Sequence, residues 1–348
     1  MQCTCVLWLL FIVASNDILI FGVNSEDSKD SCPCSAKLNC PPKFQVYPEH
    51  SACLAKSSKA VTGGVSEDLK KEIVAQHNEL RSNVIPMPVN MLKMTWDEEL
   101  AMVAQGWTDA CVMDATERFK HDTLRFLPGR FSVGQNLGYG QNSFKELIEA
   151  WYGEKPDYDP SFGKDASGIL DMVGHYTQMV WASTNKIGCG FTQCNRRKFY
   201  VCNYAPAGNV VPFLQPYKNG TQKCADCLKC SDNLCDCGDL ECANGGTLDP
   251  KTCTCSCRFP SVNSAPQCHV NCSASDLSSC GKSKPYLPTQ CEYAAAACPH
   301  MCKLCSCLAA TDKDGKCTNL SARTASTATV PSRSSRDGRS VSTQIVGL

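Results

Sequence analysis

Two short stretches of the chain combine residue types that can do chemistry. Residues 174–181 read GHYTQMVW and residues 200–209 read YVCNYAPAGN, so a histidine, several aromatic rings and a cysteine lie close together in sequence. Histidine is a common general base and metal ligand at neutral pH. Hydrolysis would also need an activated nucleophile, but the nearby hydroxyls of Thr177 and Ser183 stand in no recognisable nucleophile motif. A lone HxxQ pattern specifies no function, so its meaning depends on the surrounding chain.

Cysteine is the second chemically informative residue type, with 28 cysteines in 348 residues. This share is far above that of ordinary globular proteins and indicates disulfides formed in an oxidising compartment. Residues 224–230, CADCLKC, have a CxxC spacing that zinc knuckles also show, but in a secreted chain disulfides are favoured. Lys plus Arg equals Asp plus Glu, at 34 each, so net charge gives no reason to expect nucleic acid or an anionic membrane as a partner.

The beginning of the chain predicts secretion. Residues 6–14, VLWLLFIVA, form an apolar run of signal-peptide length, and a second apolar run covers residues 18–23. Asp17 separates the two runs and would be costly at a bilayer centre. We therefore predict a signal peptide over residues 1–25, with a cut nearer Ala14 as the alternative, no transmembrane segment and an extracellular protein.

Cysteine density divides the rest of the chain. Residues 26–66 are predicted to form a cysteine-containing N-terminal extension, whereas residues 67–216 hold only four cysteines and most of the helical periodicity. From residue 217 to residue 307 cysteines recur every few positions and large apolar side chains are sparse, so this part needs disulfides to fold. Residues 308–348 are rich in Ser and Thr without periodicity and are predicted to be a disordered tail.

The central region must position the histidine and the aromatic rings. Ile73 and His77 fall on one helical face after Ser66, and TWDE at 95–98 and SFKE at 143–146 match capping boxes that open two further helices. Residues 186–193 and 198–204, linked by residues 195–197, predict a β-hairpin. Helices before, between and after strands predict a mixed α/β domain whose sheet is covered by helices.

GHYTQMVW and YVCNYAPAGN closely resemble the two signature motifs of the CAP superfamily, which comprises cysteine-rich secretory, antigen 5 and pathogenesis-related 1 proteins. The resemblance extends to QHNELR at 76–81, MTWDEELAMVAQGWTDAC at 94–111 and GQNL at 134–137. It implies that residues 67–216 form the CAP (SCP) domain, a three-layer α-β-α sandwich. It also implies the disulfides Cys111–Cys194 and Cys189–Cys202.

The same resemblance implies an open central cleft lined by two histidines and two acidic positions. These positions fall on His121, Gln135, Glu154 and His175, with Gln135 standing where many members have Glu. Neutral imidazoles suit zinc, so His121 and His175 are predicted ligands for weakly bound zinc or another divalent cation, although no cofactor is required. Gln135 lowers the expected affinity. The alternative is a polar cluster that holds the cleft together through hydrogen bonds without any metal.

The cysteine-rich part resembles two known small modules. CANGGTLDPKTCTCSC at 242–257 looks like the end of an EGF-like module, which we place at residues 217–258. CPHMCKLC at 298–305 resembles the end of a ShKT module, the fold of sea-anemone potassium-channel toxins, which we place at residues 259–307. Lys284 and Tyr286 resemble the channel-blocking pair of those toxins, but Pro285 separates them, so an exposed loop without channel contact is the favoured interpretation.

Sequons predict surface glycosylation of a secreted chain. They are Asn219 in NGT, Asn271 in NCS and Asn319 in NLS, and Asn271 is the least favourable because Cys272 must enter a disulfide.

These features together predict a monomeric, secreted CAP protein of the invertebrate venom or defence type. It is expected to bind an extracellular protein receptor, an ion channel or a lipid rather than to catalyse a reaction. Two alternatives remain open, namely a metal-assisted or serine-type hydrolase that uses the His/Glu cleft and a component of the extracellular matrix or of an adhesion layer.

Overall fold

The structure is a computed structural model that describes residues 40–45, 47, 49–159, 170–210 and 215–305. The predicted signal peptide, the predicted Ser/Thr-rich tail and the sequon at Asn319 lie outside the described residues.

A five-stranded sheet forms the centre of the fold. Four strands follow one another in the order β1–β4–β5–β3, and β2 pairs with β4 in parallel. The strands are β1 (Ala60–Gly63), β2 (Thr95–Trp96), β3 (Gly134–Tyr139), β4 (Lys186–Cys194) and β5 (Arg197–Ala205). Cys194 lies opposite Arg197, so Asn195 and Arg196 make the turn between β4 and β5. The predicted hairpin is confirmed, with slightly longer strands.

Helices cover both faces of this sheet, as the alternation of side chains along β5 shows. Tyr200, Cys202 and Tyr204 point into the core beneath α2 (Glu67–Ser82), α4 (Phe144–Tyr152) and α5 (Leu170–Met179). Phe199 and Val201 face the opposite side, where α3 (Glu98–Ala110) packs. The fold is therefore the three-layer α-β-α sandwich that the sequence predicted.

Two glycines allow α3 to lie directly on β4. A Cβ atom at Gly188 would lie 2.2 Å from the backbone nitrogen of Ala101, and one at Gly190 would lie 2.4 Å from that of Gln105. No larger residue fits without moving the helix, because protein interiors are close-packed.

The helix starts follow local capping chemistry. The Ser143 hydroxyl accepts the Glu146 N–H at 3.2 Å and so caps α4, as the SFKE pattern predicted. The TWDE prediction is wrong in detail, because pairing with β4 keeps Thr95 in β2 and Asp97 becomes the N-cap of α3. The Asp97 carboxylate accepts the N–H groups of Glu99 and Leu100 at 3.0 and 2.8 Å.

The cysteine-rich parts contain short elements held by disulfides. The elements are α1 (Pro42–Gln45), β6 (Cys230–Ser231), β7 (Leu234–Cys235), β8 (Thr247–Asp249), β9 (Thr254–Ser256), β10 (Asn263–Ser264), β11 (His269–Val270) and α6 (Cys291–Ala294). The bridges outside the sandwich are Cys40–Cys53, Cys224–Cys230, Cys227–Cys235, Cys237–Cys253, Cys242–Cys255, Cys257–Cys268, Cys272–Cys305, Cys280–Cys298 and Cys291–Cys302. Cys257–Cys268 connects the two predicted modules, and β1 of the predicted extension belongs to the central sheet.

The first cysteine-rich module (residues 217–258) packs tightly against the sandwich. Leu234 is fully buried in the main core, and Cys235 exchanges backbone hydrogen bonds with Met91 at 2.7 Å and with Lys93 at 2.9 Å. These contacts make the module a continuation of the domain rather than an appendage on a linker.

An ion-pair cluster centred on Arg130 adds a second connection between the module and the sandwich. The Arg130 guanidinium lies 2.6 Å from the Glu241 carboxylate of the module, 2.7 Å from Asp97 and 2.8 Å from Glu99. Burial alone would raise the pKa of Asp97, but the charge and hydrogen bonds of Arg130 more than offset it and hold that pKa below its usual value. Asp97 therefore stays ionised beside Arg130, and the cluster links three segments of the chain.

Candidate functional site

Four separate segments supply the residues of the predicted cleft. His121 lies in the loop before β3, Gln135 lies on β3, Glu154 follows α4 and His175 lies on α5. Hydrogen bonds join these residues into two pairs, each consisting of one histidine and one amide or carboxylate side chain.

The first pair is His121 and Gln135. The Gln135 Oε1 atom accepts the backbone N–H of Asp122 at 3.0 Å, which identifies it as the amide oxygen. The same oxygen lies 2.9 Å from Nδ1 of His121, so Nδ1 carries a proton and donates it. The Gln135 Nε2 group donates to Asn203 at 3.0 Å. In the neutral ring, the lone pair of His121 is therefore on Nε2.

His121 also has an altered acidity. Although the residue is exposed, surrounding protein atoms displace water from its ring, and this lowers its pKa. The hydrogen bond to Gln135 acts in the opposite direction, while the nearby Arg125 and His175 lower the pKa further. The neutral, ligand-competent form of His121 is thus favoured at neutral pH.

The second pair is His175 and Glu154. The Nδ1 atom of His175 donates to Oε1 of Glu154 at 2.6 Å. The other carboxylate oxygen of Glu154 accepts the backbone N–H groups of His175 and Tyr176, each at 3.0 Å. The imidazole also stacks on the Trp151 ring, with centroids 5.8 Å apart and an interplanar angle of 13°. The hydrogen bond through Nδ1 and the stacking on Trp151 thus fix this ring, and in the neutral tautomer Nε2 again holds the lone pair.

A series of buried hydrogen bonds connects the backbone of His175 to the sheet and to α2. Asn136 donates to the backbone carbonyl of His175 at 3.0 Å and to the Tyr204 hydroxyl at 3.4 Å. That hydroxyl donates to Nε2 of His77 at 3.0 Å, and Nδ1 of His77 donates to the Ile73 carbonyl at 2.8 Å. These hydrogen bonds connect α5 to β3, β5 and α2, and so fix the position of α5 relative to the sheet.

The structure also places a part of the N-terminal extension beside the cleft, which the sequence did not indicate. Ser51 donates to the buried Asp122 carboxylate at 2.5 Å, next to His121. Burial raises the pKa of Asp122, while the hydrogen bonds from Ser51 and Leu124 oppose that rise. Ser51 and Asp122 are 71 residues apart, and no short-range sequence pattern predicts a contact over that separation.

The donors at the cleft fit a divalent cation only partly. Two imidazoles, each oriented through Nδ1, are the arrangement that metal-binding histidines usually have. Gln135 and Glu154, however, are engaged in holding the rings. Among the described residues no group of three or more His, Cys, Asp or Glu side chains could hold a metal ion. His121 and His175 could therefore supply two nitrogen ligands, and water would have to complete the coordination.

The hydroxyls near the cleft are not arranged as nucleophiles. Thr177 is buried, and its Oγ1 lies 2.8 Å from Oδ1 of Asn209 and 2.9 Å from the Val173 carbonyl, so its proton is held by acceptors other than a base. Ser183 is exposed, and no hydrogen bond joins it to a described histidine or carboxylate. The described part of the cleft thus lacks the oriented nucleophile and base that acyl transfer needs.

The predicted disulfides of the sandwich are both formed. Cys111 is bonded to Cys194, and Cys189 is bonded to Cys202 across the β4–β5 hairpin. Two of the predicted glycosylation sites are described. Asn219 is exposed, while the side chain of the exposed Asn271 accepts the Ser273 N–H at 3.1 Å in a local turn.

A groove on the outer face of α2 is a separate feature. It has a volume of about 620 Å³, and its apolar lining includes Val74, Met94 and Trp96. Lys70 lies over the Trp96 ring at 5.7 Å, and the buried indole Nε1 of Trp96 has no hydrogen-bond partner. All three lysines of the rim are already paired: Lys70 with Glu67 and Glu98, Lys71 with Asp68, and Lys93 with Asp232.

The toxin-like pair of the second cysteine-rich module (residues 259–307) is not presented together to solvent. Lys284 is exposed, but Tyr286 packs edge-on against Phe259 and belongs to the small core of that module. Across the described residues, no helix combines the length and apolar character that crossing a membrane requires.

Comparison with known proteins places these features in context. The family model described as "CAP: Cysteine-rich secretory protein family" matches residues 74–204. "Cysteine-rich venom protein Mr30" of Conus marmoreus is 35% identical over 226 residues, which cover 63% of this chain and 73% of that protein. "Cysteine-rich secretory protein 3" of Homo sapiens is 35% identical over 221 residues, covering 60% and 84% of the two chains. A solved structure described as "Crystal structure of NaASP2 with Zn2+" is 30% identical, covers 50% of this chain and 97% of its own, and has a TM-score of 0.43.

Proposed function

Because the chain belongs to the CAP family of cysteine-rich secretory proteins, we propose that it is an extracellular binding protein and not an enzyme. Its relatives include venom and secretory proteins, and its many disulfides suit an oxidising, extracellular compartment. The molecular target would be a protein receptor, an ion channel or a lipid.

The orientation of the two cleft imidazoles is the observation that carries this proposal. Both rings donate through Nδ1 and keep the lone pair of Nε2, yet no described hydroxyl is placed for activation by either ring. An arrangement of this kind can bind a cation or a hydrogen-bond donor without driving a reaction.

We further propose that His121 and His175 bind zinc or another divalent cation weakly, with Gln135 and Glu154 orienting the rings. Zinc prefers four ligands, and two imidazoles supply only half of them. Gln135 contributes no negative charge, so the expected affinity for a cation is lower than it would be with a glutamate at this position. The cation would bridge α5 and the loop before β3.

Calorimetric titration of the full-length protein with zinc tests the cation site. His175→Ala and His121→Ala should each weaken binding by about tenfold or more, because each removes one of the two nitrogen ligands. His269→Ala, which removes a histidine of the second cysteine-rich module, is the matched control and should change nothing. Equal zinc binding by all four proteins would disprove the site.

Peptidase assays with and without a chelator separate binding from catalysis. The purified protein is expected to show no turnover of model peptides that depends on His175 or Glu154. Cleavage that disappears in His175→Ala and persists in His269→Ala would overturn the non-enzymatic proposal and favour the hydrolase.

The groove on α2 favours an amphipathic lipid as a second candidate ligand. Its volume lies within the range of small-molecule sites, and its apolar floor lies beneath a polar rim of three lysines and two glutamates. Ala75→Trp should fill the groove and abolish binding of a fluorescent fatty acid, whereas Ala150→Trp on the exposed face of α4 should not. Binding that survives Ala75→Trp would exclude this groove as the lipid site.

A further inference from the structure

Basic side chains converge at the end of the sheet where β4 turns into β5. The backbone N–H of Asn195 donates to the carbonyl of Lys59 at 2.7 Å, which brings the start of β1 against this turn. Arg197 donates to the carbonyl of Glu117, which brings the loop before His121 to the same place. We define the basic edge as Lys59, Lys120, Arg196, Arg197 and Lys198.

Positive charge exceeds negative charge at the basic edge. Lys59, Lys120 and Arg196 are exposed, and among the described residues none of the five cations of the edge has a carboxylate within ion-pair distance. Lys198 donates to the backbone carbonyl of Asn142 at 3.1 Å. The neighbouring ionised side chains are Arg118, which is paired with Asp114, and the carboxylates Glu117 and Glu146. Since the whole chain has no net charge, this excess is a local property of the surface.

One member of the basic edge is held in place before any ligand arrives. The Arg197 guanidinium lies 4.9 Å from the centroid of the Phe119 ring and 5.1 Å from that of Tyr139. Phe119 in turn stacks on Phe199 with centroids 3.9 Å apart. A guanidinium fixed between rings loses little conformational entropy on binding, and its planar fork suits bidentate contact with an oxyanion.

We propose that the basic edge binds a sulfated polysaccharide chain. Lys59 directly precedes β1, Arg196 lies in the turn between β4 and β5, and Arg197 and Lys198 begin β5. These strands are neighbours in the sheet and lie about 4.8 Å apart, so these charges form a row across the sheet end. A row of exposed cations fits a linear polyanion better than a single small anion. An extracellular protein of this family meets sulfated polysaccharides on cell surfaces and in the matrix.

A membrane surface fits the same charges less well. Stable interfacial binding needs apolar side chains that enter the lipid. The exposed apolar side chains near the edge are Val61 and Tyr139, and Arg197 covers the ring of Tyr139. The proposal uses none of the four cleft residues, so it stands or falls independently of the cation site and of the α2 groove.

Surface plasmon resonance of the full-length protein on immobilised heparin tests the proposal. The wild type should bind, and its affinity should fall steeply as salt rises, because exposed charges are screened. Lys59→Ala, Lys120→Ala and Arg196→Ala combined should weaken binding by about tenfold or more. The control combines Lys71→Ala, Lys282→Ala and Lys284→Ala, which removes the same charge from exposed sites elsewhere and should leave binding within about twofold.

Several results would overturn the assignment. They are no binding by the wild type, equal weakening by the control triple variant, and equal affinity for chemically desulfated heparin. Tighter binding to phosphatidylserine vesicles than to heparin would replace the polysaccharide with a membrane. If the edge triple variant does not fold, Arg196→Glu alone, at the exposed turn, gives the same test by charge reversal.

Discussion

At the scale of single residues, histidines divide into two groups by what surrounds them. His121 is exposed and His175 is partly buried at the predicted cleft, whereas His77 is fully buried with both nitrogens hydrogen-bonded. Burial lowers the pKa of His77 to about 4, the nearby Arg81 charge acts in the same direction, and the hydrogen bond to Ile73 opposes the change. The buried histidine therefore makes stability depend on pH.

The pH dependence has a definite sign. Between pH 6.5 and about 4 the unfolded chain binds a proton at His77 that the folded protein does not, so the free energy of unfolding falls as pH falls through that window. The full effect is on the order of 3 kcal/mol. In urea titrations, His77→Gln should be less stable than the wild type near neutral pH, and the difference should shrink towards pH 4.

His50 is a second buried histidine, and its contribution to the pH dependence is the same in both proteins of that experiment. Its pKa is also lowered to about 4, mainly by burial, and it contributes the same pH dependence to the wild type and to His77→Gln. The difference between the two proteins thus isolates His77. A difference that stays constant between neutral pH and pH 4 would contradict the prediction.

At the scale of elements, one arginine joins α2 to the loop that follows α5. Arg81 is fully buried and donates to the backbone carbonyls of Leu92, Met179, Trp181, Ala182 and Thr184. Burial lowers its pKa to about 9, so it remains charged at neutral pH. The guanidinium gives these buried carbonyls a shared donor, in addition to the backbone N–H groups of Thr184 and Leu92 that the carbonyls of Trp181 and Ala182 already accept.

Arg81→Lys should be strongly destabilising despite keeping the charge. Lysine has three donors on one nitrogen and cannot reach five carbonyls that surround a planar fork, so buried acceptors lose their partners. We expect a loss of roughly 3 kcal/mol in the free energy of unfolding, measured with urea. Arg118→Lys, at an exposed pair with Asp114, should cause no measurable change. Equal effects of both variants would refute the role of Arg81.

At the scale of the whole molecule, the first cysteine-rich module and the sandwich behave as one packed unit. Leu234 enters the main core, and the Arg130 cluster connects Glu241 of the module to Asp97 at the start of α3. The backbone N–H of Asn244 donates to the carbonyl of Arg130 at 2.6 Å and reports directly on this interface.

Glu241→Gln should loosen the interface without unfolding either part. Removing one charge-assisted contact to the buried Arg130 should speed hydrogen exchange of the Asn244 amide roughly tenfold. Asp239→Asn changes an exposed partner of Lys186 at the same interface and should leave that exchange rate unchanged. Exchange that is equal in both variants would show that the Arg130 cluster does not hold the module.

The sequence alone predicted a mixed α/β domain and the β4–β5 hairpin, and its resemblance to the CAP motifs implied the family, the three-layer sandwich and the positions of the cleft residues, because motifs and side-chain periodicity are local properties of the chain. The tertiary structure decided what those residues do to one another. It made Gln135 and Glu154 the partners that orient His121 and His175, placed Ser51 beside Asp122, and made Asp97 rather than Thr95 the N-cap of α3. It also buried Leu234 in the core of a domain predicted to end at residue 216. These outcomes depend on contacts between residues far apart in the chain, where packing and hydrogen-bond satisfaction choose the partner and no short pattern records the choice.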